Sequence, residues 1–365
     1  MSRVLFLSNI ALANPTRGTP LHICSLLRAI RKEHSLFICV HSVPDDLKDI
    51  FIPYPSQYGW KKLFILIRIL RRNRISHVFT ATDNGLVAPI VLKLFFSIRI
   101  IDEMHGISCE ELIADGKIGR IKYFYFKYKT WILLNFYDKV IVMLKNAAYY
   151  YGHTTKDWIV APVAVNITDV PDASRSSHVS DTYVLGYMGN TRWYQGLSYM
   201  IEAARMLRDS GLTIRLNLIL SGNTEEVEQQ LIKSNLYDKA IIHKNVSHTE
   251  AFRLIENSSV LILPRPRVPV TEYSFPSKLP EYLATGLPII LTDVGPVDEL
   301  RDNLKQFCEI IPSQDIAIHI TKAVHNLYNT DQEILHERGR QARLWVEKYF
   351  SWEERGRLIN QCLQD

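Results

Sequence analysis

Short apolar runs alternate with helical stretches along nearly all of this 365-residue chain, and that alternation leaves few folds open. Val4–Leu7, Leu36–Val40, His77–Ala81, Arg99–Asp102, Lys139–Met143 and Trp158–Val160 have the length and composition of strands. Leu21–Arg31, Trp60–Arg72, Leu86–Phe96 and Ile118–Phe136 between them carry helical patterns. Such alternation implies βαβ units, and so a parallel sheet covered by helices with right-handed crossovers. The pattern breaks at residues 166–182, which are polar, rich in Ser and Asp, and without periodicity, as a linker would be. It then restarts with strands expected at Tyr183–Met188, Thr213–Leu220, Ala240–His243, Val260–Leu263, Ile289–Leu291 and Phe307–Ile311. Helices are expected at Leu197–Asp209, Thr224–Ser234 and Thr249–Glu256, with a helical tail from Ser313 onward. The expected fold is α/β, with two doubly wound Rossmann-like domains at residues 1–165 and 183–348, a linker at 166–182 and a last segment at 349–365.

Composition narrows the setting. The five cysteines are scattered and never paired as C-x-x-C, which fits a reducing compartment and argues against a disulfide frame or a zinc site. The first apolar run is too short for a signal-peptide core, and no stretch approaches the ~18 apolar residues of a membrane-spanning helix. Charge is uneven: residues 1–180 hold 23 Lys and Arg against 14 Asp and Glu, and the remainder holds 20 against 24, giving the net +5. A basic half suggests an anionic partner, a membrane or a nucleic acid, with uneven solvated charge as the plainer alternative.

The most informative stretch is Ser274-Phe-Pro-Ser-Lys-Leu-Pro-Glu-Tyr-Leu-Ala-Thr-Gly-Leu-Pro-Ile-Ile-Leu-Thr292. It reads as a loop, a short helix stopped by Gly286, and a buried strand. Lys278 and Glu281 stand three residues apart on one helix face. A cation, a carboxylate and helix amides at the carboxyl edge of a sheet suit a nucleotide, with phosphates at the positive end and ribose hydroxyls on the carboxylate. Other loops are placed to join it. Ser8–His22 follows the first strand and carries Gly18, although no G-x-G-x-x-G fingerprint is present. His105-Gly106 ends a strand, where the imidazole can bond a sugar hydroxyl or steady a charged transition state. Glu110 and Glu111 behind it read as solvated charge rather than acid–base groups. Gly189…Gly196 encloses Arg192, a planar fork for a diphosphate, or else a partner for a surface acid. Pro264–Glu272 is irregular and Pro-rich, with Arg265, Arg267 and Glu272 facing either a ligand or solvent.

Two segments read as basic and amphipathic, Trp60–Arg74 and Lys117–Trp131. The first is better explained as a buried crossover helix with basic flanks. The second alternates bases with Tyr, Phe and Trp, as helices lying on a membrane interface do. No nucleic-acid-binding motif is present.

Taken together, Gly18, His105-Gly106, the Gly189…Gly196 loop and Lys278-Leu-Pro-Glu281-Tyr-Leu-Ala-Thr-Gly286-Leu-Pro288 resemble the retaining nucleotide-sugar glycosyltransferases of the GT-B fold, the glycosyl transferases group 1 family. The closing Tyr349-Phe-Ser-Trp-Glu-Glu354 is similar to that family's last motif, before a helix that crosses back to the N-terminal domain. The resemblance implies two domains facing a cleft, with the acceptor held by the first and the donor by the second. It implies Gly18, Arg192, Glu272, Ser277, Lys278, Leu279 and Glu281 as donor-binding residues and His105 as the catalytic residue. It implies no cofactor and no catalytic metal, and the chain contains no Asp-x-Asp. The chain departs from the family at Asn190 and Gln195, where Arg and Lys are common, and at Tyr273, where a glutamate is common and Glu272 stands one residue away.

The expected activity is transfer of a sugar, UDP-linked rather than GDP-linked, to a glycan or lipid-linked acceptor of a cell-surface polysaccharide such as lipopolysaccharide or capsule. The expected location is cytoplasmic, on the inner face of the membrane. The alternatives are a nucleotide-sugar epimerase of the same fold and a non-catalytic partner subunit.

Overall fold

The computed structural model describes residues 2–13, 18–54, 60–81, 87–152, 158–173 and 182–364. The chain forms two compact units. Unit 1 comprises Met1–Val163, Tyr273–Phe275 and Trp352–Asp365; unit 2 comprises Ala164–Glu272 and Pro276–Ser351.

In unit 1 the elements run β1 (Arg3–Leu7), α1 (Gly18–Arg31), β2 (Ser35–Val40), β3 (Phe51–Pro53), α2 (Trp60–Asn73), β4 (His77–Thr80), α3 (Val87–Lys93), β5 (Arg99–Met104), α4 (Ser108–Ala114), α5 (Arg120–Leu134), β6 (Lys139–Val142), α6 (Lys145–Tyr150) and β7 (Trp158–Val160). The strands pair in parallel in the order β3-β2-β1-β4-β5-β6-β7. Alternation along β1 decides its two faces. Val4 and Phe6 pack into a cluster with Ile23, Leu27, Ile38 and Phe79, while Leu5 and Leu7 pack into another with Leu66, Leu70 and Val78. Both faces are therefore dry, as an all-parallel sheet requires.

Unit 2 repeats the plan. It contains β8 (Tyr183–Asn190), α7 (Leu197–Asp209), β9 (Ile214–Ser221), α8 (Glu225–Lys233), β10 (Ala240–Lys244), α9 (His248–Ile255), β11 (Val260–Leu263), α10 (Pro269–Glu272), α11 (Lys278–Thr285), β12 (Ile289–Thr292), α12 (Pro296–Leu304), β13 (Cys308–Ile311), α13 (Ile316–Tyr328) and α14 (Gln332–Tyr349). Its sheet is parallel in the order β10-β9-β8-β11-β12-β13. The final helix, α15 (Trp352–Gln364), belongs to unit 1, where Ile359, Cys362 and Leu363 join the cluster around Ile23 and Leu27.

Several elements differ from the sequence-based expectation. The long helix expected at Ile118–Phe136 starts only at Arg120, after Gly119 in an extended conformation, and a separate helix α4 precedes it. Leu86–Phe96 shortens to α3, and the chain turns through Leu94–Phe96. The strand β3 and the helices α6, α10 and α12 were not anticipated; β3 has three residues including Pro53, and α12 opens on Pro296 with a polar sequence. The helical tail expected from Ser313 onward consists of three helices. Residues 174–181 of the polar 166–182 segment, and residues 14–17 of the first loop, lie outside the described residues. All five cysteines are buried and free of disulfides.

One helix crossing in unit 2 depends on glycine. A Cβ at Gly339 of α14 would run into the carbonyl of Gly286, the left-handed cap that ends α11. Arg343, one turn further along α14, donates to the carbonyls of Ala284, Ile167 and Val170. Gly339→Ala should therefore lower unfolding stability by about 1–3 kcal/mol, read as a lower denaturation midpoint with an unchanged slope, because two backbones must move apart.

Candidate functional site

In each sheet the strand order reverses direction once, between β1 and β4 in unit 1 and between β8 and β11 in unit 2. Loops leaving the carboxyl ends of such strands diverge and open a crevice. The chemistry-bearing residues gather at these edges.

In unit 2 Asn190 ends β8, the loop after it holds Arg192 and Gly196, and the loop after β11 holds Arg265. The two loops touch: Gly196 has a left-handed backbone (φ 76°), and a Cβ there would overlap the Pro264 carbonyl. Gly189 serves a related purpose, because a Cβ there would occupy the space taken by Cε of Lys278. Lys278, at the start of α11, thus lies across the end of β8. Tyr282, fully buried one turn later, holds the helix in place by accepting the Met188 N–H at 2.7 Å.

Burial lowers the Lys278 ammonium to a pKa of about 8; Arg265 and Arg192 push the same way and Glu281 opposes them. Two arginines and a carboxylate thus act on the Lys278 ammonium. Arg192 is exposed, lies over the Tyr194 ring and donates to its hydroxyl at 2.6 Å. Arg265 is buried. Glu281 is paired with Nε2 of His248 at 3.0 Å, and Ser247 caps the helix that carries this histidine. Neither His248 nor Arg265 was singled out firmly from the sequence; the Ser247-His-Thr-Glu250 capping signal was the available clue to the first.

The remaining predicted donor residues fall out differently. Glu272 is bound to Arg267 at 2.6 Å, and Arg267 also reaches the Asp293 carbonyl and Ser313. Its carboxylate thus organises the loop. Ser277 is exposed at the start of α11, and Leu279 is fully buried core. Asn190 accepts the Arg192 backbone N–H at 3.2 Å, and Gln195 is buried. Gly18 is the first residue of α1, and the chain just before it lies outside the described residues.

In unit 1, His105 follows β5 directly. Glu103, two residues earlier, shares its side of the strand. Glu103 is fully buried and its Oε1 accepts from Arg355 of α15 and from Nε2 of His22 at 3.2 Å. Its Oε2 lies 3.7 Å from His105 Nε2. The His22 and His105 rings meet edge to face at 5.0 Å, and Trp352 covers His22 at 5.1 Å. Burial, the largest influence, favours a neutral Glu103, yet Arg355, His105 and His22 together hold it well below the usual carboxylate range. Burial and then Arg355 lower His22, so its ring is neutral near pH 7. Ligand atoms of His22, Glu103 and His105 lie within 4.8 Å of one another. Arg355 already neutralises that carboxylate, which makes the cluster a poor cation trap. Glu110, read from sequence as solvated, is buried and accepts from Tyr123 at 2.7 Å and from Tyr150. Tyr273, in the position of the family's glutamate, packs its ring on Tyr150 at 4.8 Å.

A lysine held near pKa 8 costs the fold stability. The unfolded chain binds a proton that the folded amine has lost between about 8 and the ordinary lysine value of 10.5, so this contribution rises with pH through that window. Lys278→Met should stabilise the protein at pH 7 by on the order of 1–3 kcal/mol, and the gain should shrink by pH 10 in denaturant titrations.

Residues 171–345 match the family model described as glycosyl transferases group 1. Among curated proteins no sequence matches the chain. Solved structures share its fold at low identity. Sucrose-phosphate synthase from Thermosynechococcus elongatus superposes with a TM-score of 0.75 at 13% identity, covering 100% of this chain and 98% of that one. Anabaena HepE, solved with UDP and glucose, gives 0.74 at 14% identity over 100% of both chains. The lipopolysaccharide outer core galactosyltransferase WaaB gives 0.69 at 12% identity, covering 100% and 99%. Residues 171–345 form a glycosyl transferases group 1 domain that makes up most of the second unit, and the whole chain has the GT-B fold of these solved structures.

Proposed function

We propose that the protein transfers a sugar, with retention of configuration, from a UDP-sugar to a glycan or lipid-linked acceptor of a cell-surface polysaccharide. The observation that carries the donor half is the convergence of Lys278, Arg192 and Arg265 beside the Glu281–His248 pair. Three cations offset the charge of a departing diphosphate, and a carboxylate oriented by histidine accepts ribose hydroxyls. The presence of UDP and glucose in HepE supports a uridine nucleotide. With the diphosphate charge met by side chains, transfer needs no added metal. His105 steadies the sugar as positive charge develops on it.

The acceptor half rests on α5. Ile121, Phe124, Tyr125, Tyr128, Trp131 and Ile132 are all exposed, and their spacing puts them on one helix face. Arg120 and Lys122 beside them are exposed cations. An exposed aromatic and basic face of this kind suits an anionic lipid surface. Lys127 does not contribute, because its ammonium lies 4.2 Å from the Tyr150 ring centre. No helix among the described residues is long and apolar enough to cross a membrane.

Purified protein incubated with a panel of UDP-sugars and a polyprenyl-diphosphate glycan should release UDP only when the acceptor is present, and EDTA should not reduce the rate. A new sugar isomer without acceptor would instead establish epimerisation, and no UDP binding or turnover would establish a non-catalytic subunit. Glu281→Ala should weaken UDP binding by roughly 10-fold or more, as loss of a charged hydrogen-bond acceptor does, whereas His105→Ala should lower kcat more than binding.

The membrane reading has its own measurement. Phe124→Ser combined with Tyr128→Ser should cut co-sedimentation with phosphatidylglycerol vesicles several-fold at about 0.1 M salt. Unchanged sedimentation would discard α5 as the contact.

A further inference from the structure

The cluster around Glu103 contains more than the reaction outlined above uses. An ionised carboxylate only accepts hydrogen bonds, so the contact of Glu103 Oε1 with His22 Nε2 requires the proton on that nitrogen. The other donor to Oε1, Arg355, is held in turn by the carbonyls of Ala161 and Pro162. Glu103 is thereby fixed from three directions: its own strand β5, helix α1 through His22, and helix α15 through Arg355. Its second oxygen accepts no hydrogen bond among the described residues, although it is fully buried. The 3.7 Å gap to His105 Nε2 is roughly 0.8 Å longer than a usual ~2.9 Å N–H···O bond.

We propose that Glu103 is a positioning residue for sugar transfer: locked by Arg355 and His22, it takes a hydrogen bond from His105 Nε2–H as the reaction proceeds. This rests on the reading of His105 as the residue that steadies the transferring sugar. Donation from Nε2 leaves Nδ1 of His105 with its lone pair and makes it more electron-rich, which suits a centre gaining positive charge. No proton changes owner in this step. The closure of the gap is a ring movement of under an ångström, and it gives Oε2 of Glu103 a donor. His105 meets His22 from α1 and Glu103 from β5; Glu111 of α4 lies against the neighbouring Gly106, and Arg355 of α15 reaches Glu103. Arg355 cancels the charge of Glu103, so the pair orients the imidazoles without imposing a net field. A purely structural salt bridge would need neither the two histidines nor the open oxygen.

Two readouts test the proposal on the full-length protein. Long-range 15N–1H spectra of histidine-labelled protein report each ring's tautomer independently of any substrate. They should show His22 protonated on Nε2 in the wild type, and should show that order lost, with altered His105 signals, in Glu103→Gln. A wild-type His22 protonated on Nδ1 overturns the proposal even if no variant folds. Kinetics of UDP release, with UDP-glucose and UDP-galactose as the probes, supply the second readout. Glu103→Gln should lower kcat by about 10–100-fold, with KM for the donor and the affinity for UDP within about threefold of wild type. Glu103→Asp, which keeps the charge, should recover part of the loss. Wild-type kcat in folded Glu103→Gln, or a loss that matches only the fraction unfolded, overturns the role. His105→Ala separates the two readings. If it abolishes turnover and Glu103→Gln does not, Glu103 is structural; if it turns over normally, the His105 reading fails and the kinetic role of Glu103 with it.

Discussion

A parallel sheet with helices on both faces can meet a ligand only at its carboxyl edge. This constraint governs both units. Along β1 alone, Val4 and Phe6 enter one core and Leu5 and Leu7 the other, so neither face is free for chemistry. What remains is the place where the strand order turns, β1/β4 in one unit and β8/β11 in the other. Arg192 and Arg265 stand on the loops that leave β8 and β11, Lys278 opens α11, and His105 follows β5 directly.

The two edges are built on opposite electrostatic principles. In unit 2 positive charge gathers: the Lys278 ammonium is pressed over Gly189, and burial together with Arg265 and Arg192 pulls it down to about 8 against Glu281. That arrangement sacrifices stability and makes sense in the presence of an anion. In unit 1 the charges cancel. Glu103 and Arg355 form a buried pair, and the two histidines beside them are set by hydrogen bonding rather than by a field. A leaving diphosphate calls for the first kind of site, and an oriented imidazole calls for the second.

The surface of α5 adds a third theme. Its inward side is committed: Tyr123 bonds Glu110, and Lys127 lies over Tyr150. Its outward side exposes Ile121 at 88% and Tyr128 at 64%, far more than a solvated helix face commonly leaves bare. The helix is thus well anchored and unusually apolar outside, the two properties that a peripheral lipid contact needs.

The sequence determined the strand–helix alternation, the position of nearly every strand, and the Lys278/Glu281 helix, because each depends on local periodicity or on one cap such as Gly286. It also carried His105 and the basic aromatic helix. It left Glu272 looking like a ligand-facing acid, whereas Arg267 draws it into the loop. It concealed Glu103, His22 and Arg355 altogether. Those three are 81 and 252 residues from one another along the chain, and a buried charge in a strand looks no different from an exposed one until its partner arrives. Only the folded structure brings α15 onto α1, and only burial turns a carboxylate that would be solvated into one that must be paired.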